Sequence, residues 1–197
     1  MTVVEDRPMP AARKAMIDSQ LRTSGVTADF VLRRMAAVAR EDFVPAAARG
    51  VAYMDRAIAL GAGRWLAAPI VQGMMLQEAA PTLADKVLLV DGGSGYLAAL
   101  VGPLAGSLEV ISPEEALKAS RKKDFTLLMI DGAVEHLPEM LTKRLANDGR
   151  VVCGLVRNGL TRLAVGREAG GDVALRALAE VGIPALPEFA KAKAWSF

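Results

Sequence analysis

The amino-acid sequence predicts an α/β fold: a mostly parallel sheet with helices on its faces, preceded by a helical extension. Three observations carry this. From Val87 to Val156, short apolar runs alternate with helical segments, the arrangement that builds a parallel sheet with crossover helices. The run Val87-Leu-Leu-Val90 stops at Asp91-Gly-Gly-Ser-Gly95 and resumes as Tyr96-Leu-Ala-Ala-Leu100, so a buried strand feeds a tight loop and then a helix. Upstream, Met16, Ile17 and Leu21, then Val31, Leu32, Met35 and Val38, recur at three- and four-residue spacing on either side of Gly25, which marks two helices.

Taken in order, residues 1–10 carry two prolines and read as a mobile tail. Residues 11–80 form the helical extension, whose second helix Thr27 or Asp29 is placed to cap. Residues 43–68 are short and mixed, with Pro45, Gly50, Gly61 and Gly63, and read as loop with one strand pair around 51–60. Pro69 opens a helix that runs to about Ala80, in which Met74 and Met75 fill core gaps. Residues 81–197 form the sheet core. Strands are expected at 87–90, 108–111, 125–130 and 150–156, and helices at 95–105, 113–120 and 134–146. Beyond Gly159, strands at 160–165 and 173–178, joined through the glycine-rich stretch 166–171, close the sheet.

Composition narrows the functional classes. Hydrophobic residues make up 52% and aromatics only 5%, so the core is aliphatic. The net charge of +2, from 24 basic and 22 acidic residues, offers no electrostatic basis for binding nucleic acid or an anionic membrane. The lone cysteine, Cys153, excludes an intrachain disulfide and reads as a buried structural thiol within Val151–Val156. One cysteine and one histidine do not make a metal cluster; His136 reads as a surface helix residue and Arg121-Lys-Lys123 as a solvated loop. No apolar run approaches the roughly 20 residues of a membrane helix, and the N-terminus lacks the pattern of a secretory leader. A cytoplasmic location is expected.

The loop carries the candidate chemistry. Its glycines let backbone N–H groups approach a ligand where a Cβ would stand, and the following helix start adds partial positive charge. Candidate cofactor-binding residues are therefore Asp91, Gly92, Gly93, Ser94, Gly95 and Tyr96. Asp131 joins them: it ends the third predicted strand on the side where open sheets bind ligands, although it reads equally as a loop or helix-capping acid. Gly93-Ser-Gly-Tyr-Leu-Ala98 also satisfies Gly-x-Gly-x-x-Ala, with Glu114 21 residues after Gly93. That is a loosely specific match to an NAD(P)-binding oxidoreductase.

Several pieces, in order, resemble the protein-L-isoaspartate (D-aspartate) O-methyltransferase family. They are Met16-Ile-Asp-Ser-Gln-Leu21 with Gly25-Val26, Arg40-Glu-Asp-Phe-Val-Pro45, Ala52-Tyr-Met-Asp55, Ala68-Pro69, Gly93-Ser-Gly-Tyr-Leu-Ala-Ala99, Asp131-Gly-Ala-Val-Glu-His-Leu-Pro138 and Leu145-Ala-Asn-Asp-Gly-Arg-Val-Val152. The resemblance covers most of residues 11–156. It implies a Rossmann-like S-adenosylmethionine methyltransferase fold. It also implies methyl transfer from S-adenosylmethionine to the carboxylate of isoaspartyl residues in damaged proteins, a protein-repair reaction.

The departures from the family pattern bear on activity. The loop's strand-end acid and first glycine are Leu89 and Asp91 here, and Asp at a left-handed position costs roughly 1–2 kcal/mol. The ribose-holding acid expected after the second strand is Ser112. The hydroxyl residue two before the proline is Ala67, so no catalytic residue is assigned. Leu108 to Ile130 spans 23 residues, and a crossover unit takes roughly 30, so one strand–helix unit is expected to be missing. These departures predict a cofactor held weakly or not at all. They open a second reading: a non-catalytic methyltransferase-fold protein that binds a protein partner.

Overall fold

The computed structural model describes residues 10–120 and 124–191. Among these residues, eight strands form two sheets. A small antiparallel hairpin joins β1 (Ile58–Gly61) to β2 (Arg64–Leu66). The main sheet contains β3 (Lys86–Val90), β4 (Ser107–Ile111), β5 (Phe125–Val134), β6 (Leu145–Arg157), β7 (Leu160–Ala169) and β8 (Asp172–Glu180), in the spatial order β4-β3-β5-β6-β7-β8. The four strands expected to be parallel are parallel. β6, β7 and β8 then form an antiparallel meander.

Strand β3, interior to the sheet, shows why an apolar run with no polar alternation belongs here. Val87 to Val90 are wholly buried because both faces of the sheet are covered. The pleat sends alternate side chains to opposite faces. Val87 and Leu89 enter a core shared with Met16, Leu21, Val31, Met35 and Met75 of the helical extension. Leu88 and Val90 enter a second core with Cys153, Leu141 and Phe189. The extension is thus packed onto one face of the sheet, and Cys153 is the buried thiol expected, its pKa pushed up to about 12 by burial.

Helices α1 (Ala11–Ala15, continuing as a wide π turn through Leu21), α2 (Asp29–Ala37) and α3 (Pro69–Ala79) build the extension. Pro69 opens α3, as expected from a proline at the first helical turn. In the core, α4 (Tyr96–Val101), α5 (Pro113–Ala116) and α6 (Glu139–Thr142) are much shorter than predicted. Pro103 tightens the end of α4 into a 3₁₀ turn. The expected helix over 134–146 shrinks to a single turn because β5 runs on through Val134, Pro138 precedes the helix and β6 begins at Leu145. Exposed His136 accordingly lies in a bend rather than a helix. The strand pair falls at 58–66 rather than 51–60, so Arg64 to Leu66 are strand rather than loop. Gly166 lies within β7, paired with Leu175, and the turn consists of Gly170 and Gly171.

The predicted shortage between the second and third core strands is present. β4 is an edge of the sheet, and among the described residues one helical turn, α5, separates it from β5. Arg121, Lys122 and Lys123 lie outside the described residues, as do residues 1–9 of the expected tail.

Candidate functional site

The site lies at the carboxyl ends of β3, β4 and β5, where adjacent connections diverge and leave a crevice. Two glycine properties shape it. A Cβ on Gly92 would collide with the carbonyl oxygen of Asp131, so glycine is what allows the ends of β3 and β5 to approach. Gly93 and Gly95 have φ of 107° and 70°, the region where residues with a Cβ are strained.

Asp91 departs from its expected conformation. Its φ is not positive, so the predicted backbone cost does not arise; the left-handed turns fall on Gly93 and Gly95. Its carboxylate instead accepts hydrogen bonds from the N–H groups of Gly93 (3.1 Å) and Gly95 (2.9 Å). The amides that would face a ligand are already committed to the chain's own side chain.

Asp131 sits where β5 is irregular: the stretch from Met129 to Ala133 lies opposite the shorter stretch of β6 from Val152 to Gly154. Such a bulge re-aims side chains. Ser94 Oγ donates to Asp131 Oδ2 (3.3 Å) and Gln72 Nε2 donates to Oδ1 (3.4 Å). Burial, aided by the neighbouring charge of Asp91, pushes the Asp131 carboxyl up to about 7. The chain of contacts continues inward. Gln72 Oε1 accepts from Arg40 Nη1 (2.6 Å), and Arg40 also donates to the carbonyls of Ala52 and Ala67. Arg40 is fully buried, and burial brings its pKa down to about 10. Its guanidinium lies over the Tyr96 ring at 5.1 Å, and Phe43 meets that ring edge-on at 5.3 Å. Tyr96 therefore belongs to the core; its buried hydroxyl lies beside Arg40 without reaching hydrogen-bond geometry. Only its backbone N–H, donating to Ser94 Oγ, takes part in the loop.

The open side of the crevice is a recess of about 350 Å³ lined by Arg64, Asp91, Gly93, Ser112 and Glu114 among others. Arg64 crosses it. Its Cγ lies 3.0 Å from where a Cβ on Gly93 would stand. Its guanidinium pairs with Glu188 (Nη2–Oε1 2.8 Å, Nη1–Oε2 3.2 Å) and with Glu114 (2.6 Å). Ser112, at the end of β4, is committed to a capping box: its hydroxyl accepts from Glu115 N, and its own N–H donates to the Glu115 carboxylate.

The structure thus brings together Asp91, Gly92, Gly93, Ser94, Gly95 and Asp131, turns the Tyr96 side chain away, and leaves Ala67 buried behind the site with its carbonyl on Arg40. Sequence reasoning did not single out Gln72 or Glu188, whereas the segment from Arg64 to Pro69 was expected near the tip of the Gly92–Tyr96 loop, and Arg64 lies against Gly93. Gln72 carries a usable signal, a polar residue within the apolar stretch Ile70 to Leu76. Glu188 carries none, because only tertiary folding brings it 124 positions back to Arg64.

An open, mainly parallel sheet with a glycine turn after its first strand in chain order, β3, and an acid beside that turn defines a Rossmann-like protein of the nucleotide-cofactor type. The family model described as protein-L-isoaspartate(D-aspartate) O-methyltransferase matches residues 11–124. A protein-L-isoaspartate O-methyltransferase of Koribacter versatilis is 32% identical over 184 residues, covering 81% of this chain and 83% of that protein. The Aeropyrum pernix enzyme of the same name is 48% identical over 98 residues, covering 49% of this chain and 37% of its own length. In three dimensions, a Plasmodium falciparum protein described as an O-methyltransferase of this kind, in complex with S-adenosyl-L-homocysteine, superposes with a TM-score of 0.69. It is 15% identical, with 89% of this chain and 98% of that chain covered. The chain belongs to the protein-L-isoaspartate O-methyltransferase family.

Proposed function

We propose that this protein is an isoaspartyl methyltransferase with a narrowed cofactor crevice, which holds S-adenosylmethionine weakly and methylates isoaspartyl carboxylates of cytoplasmic proteins slowly. Family membership supports the reaction class. The observation that carries the reduced grip is Asp91, whose carboxylate takes the Gly93 and Gly95 amides.

The residues present fit S-adenosylmethionine only in part. On the loop side, Asp91 and Asp131 stand beside a glycine turn, suited to an ammonium group. On the nucleoside side the fit fails: Ser112 and Glu115 are spent on a cap, Glu114 is paired with Arg64, and the second crossover is missing. Each lost charge-assisted hydrogen bond is worth roughly 1.5–3 kcal/mol, so two such losses move a micromolar ligand to about millimolar.

The chemistry itself asks little of the protein. Bound, the cofactor supplies a methyl group on a sulfonium centre. The acceptor carboxylate has a pKa near ~4 and is already ionised at neutral pH, so no general base is required, and Ala67 in place of a hydroxyl does not by itself remove activity. Alignment of the reactants supplies up to roughly 7–11 kcal/mol.

A second reading, a non-catalytic partner-binding protein, is favoured by the Arg64 bridge across the crevice. Isothermal titration with S-adenosylmethionine and S-adenosylhomocysteine, alongside methyl transfer to an isoaspartyl peptide, separates the two. Millimolar affinity with slow, saturable methylation supports the first. No binding and no methylation at any cofactor concentration ends it in favour of the second.

A further inference from the structure

We infer that Arg64 is the residue that receives the substrate's carboxylate, and that Glu188 occupies its fork as an internal stand-in which a substrate must displace. This rests on the isoaspartyl reading above for the substrate's identity. Four features carry it.

The pairing is two-pronged, with both terminal guanidinium nitrogens on both Glu188 oxygens. That is the geometry by which arginine recognises a carboxylate as such, rather than as a point charge. The place is right: the Arg64 side chain lies on Gly93, at the tip of the cofactor loop. The pair is shielded, with side chains only 21% and 17% exposed, which strengthens its electrostatics relative to a bridge in open water. Finally, the Glu188 carboxylate is presented by a firmly seated segment. Leu186 packs against Gly132, with its Cγ 2.6 Å from where a Cβ there would stand, and Phe189 is wholly buried. Backbone bonds tie this segment to the end of β5: Ala133 N donates to Pro184 O, Leu186 N to Ala133 O, and Glu135 N to Phe189 O.

Seating therefore rests on apolar neighbours and backbone bonds, which leaves the Glu188 carboxylate exchangeable. Glu114, from α5 beside the Glu188 segment, also pairs with Nη2 and keeps Arg64 anchored when Glu188 departs. The other facing charge, Asp91, is turned onto the Gly93 and Gly95 amides. An incoming carboxylate that takes the fork exchanges one anion for another, with no net change in charge at Arg64.

The test is binding of a fluorescently labelled isoaspartyl peptide and of its carboxyl methyl ester, followed by anisotropy without cofactor. Glu188→Gln is expected to bind the free acid about tenfold more tightly than wild type, with the ester unchanged. Arg64→Met is expected to abolish the preference for acid over ester, and Arg64→Lys, which keeps the charge but not the fork, to retain only part of it. Thermal melts check that each variant folds; Arg64→Lys serves if Arg64→Met does not. Glu188→Gln showing no gain for the acid, or either Arg64 variant matching wild-type discrimination, overturns the inference and makes the bridge a tie for the C-terminal segment. A separate titration of S-adenosylmethionine keeps the two claims apart. If the cofactor never binds while Glu188→Gln still prefers the acid, methyl transfer fails and the carboxylate site stands.

Discussion

At the scale of the residue, two carboxylates do opposite things at one site. Asp91 is satisfied by two backbone N–H groups, whereas Asp131 is buried and accepts long hydrogen bonds from the side chains of Gln72 and Ser94. Replacing Asp91 by glycine removes the loop's internal cap. We expect a stability loss of roughly 1.5–3 kcal/mol by urea titration and a rise in S-adenosylmethionine affinity of tenfold or more by calorimetry, tenfold corresponding to about 1.4 kcal/mol. Tight wild-type binding that Asp91→Gly weakens would instead make Asp91 a working ligand. Asp131 predicts a pH dependence. Its folded pKa of about 7 lies above the ordinary 3.8, so the folded state binds the proton more tightly than the unfolded state. Its contribution is most favourable below pH ~4 and is lost as pH rises through about 7. Melting temperature should therefore fall from pH 5 to pH 8, and Asp131→Asn should flatten that slope and be the more stable protein at pH 8. Asp85 does not obscure this window. Burial works to raise its carboxyl, but Arg150, Thr126 and Thr82 outweigh it and hold the group down at about 2, so its contribution is lost only at acid pH.

At the scale of the element, the site is held by segments far apart in the chain. Helix α3 presents Gln72, which links Arg40 of the extension to Asp131 of β5. The C-terminal segment reaches back to place Glu188 on Arg64. Its anchor is Phe189, wholly buried in the core beneath β5 and β6. Phe189→Ala should cost about 3–5 kcal/mol in urea unfolding; a loss under about 1 kcal/mol would show that the segment is seated by its backbone bonds instead. The cap on α5 is a smaller, separable device. Ser112→Ala should cost about 1 kcal/mol, and because Ser112 holds Glu115 rather than a ligand, it should leave cofactor affinity unchanged by calorimetry.

At the scale of the whole molecule, the missing strand–helix unit leaves β4 as a bare edge and the crevice with only one wall beyond β3. A ligand bound there at millimolar affinity stabilises little. At a concentration equal to its dissociation constant the gain is about 0.4 kcal/mol, or a rise in melting temperature of roughly 1–2 °C for a chain of this size. A shift above about 6 °C with 1 mM S-adenosylmethionine would contradict a weakened grip.

The order of strands from Val87 to Val156, the short crossover and the glycine turn are legible in the sequence because they rest on local properties: apolar runs, spacing and turn residues. The same is true of Cys153 in a buried run. Asp131, expected just past a strand ending at Ile130, lies instead within β5, which continues through an irregular stretch to Val134. Helix lengths are not legible, since 134–146 is partly claimed by strand pairing between β5 and β6, a non-local interaction that overrides helical patterning. The conformation of Asp91 is not legible either: its side chain found partners two and four residues on, and the positive φ angles moved to Gly93 and Gly95. The sequence by itself determined the fold class and the place of the loop. Only the tertiary structure decided what fills the crevice, because Arg64, Glu114 and Glu188 become neighbours through packing of the hairpin and the C-terminal segment against the sheet, and no spacing along the chain records that meeting.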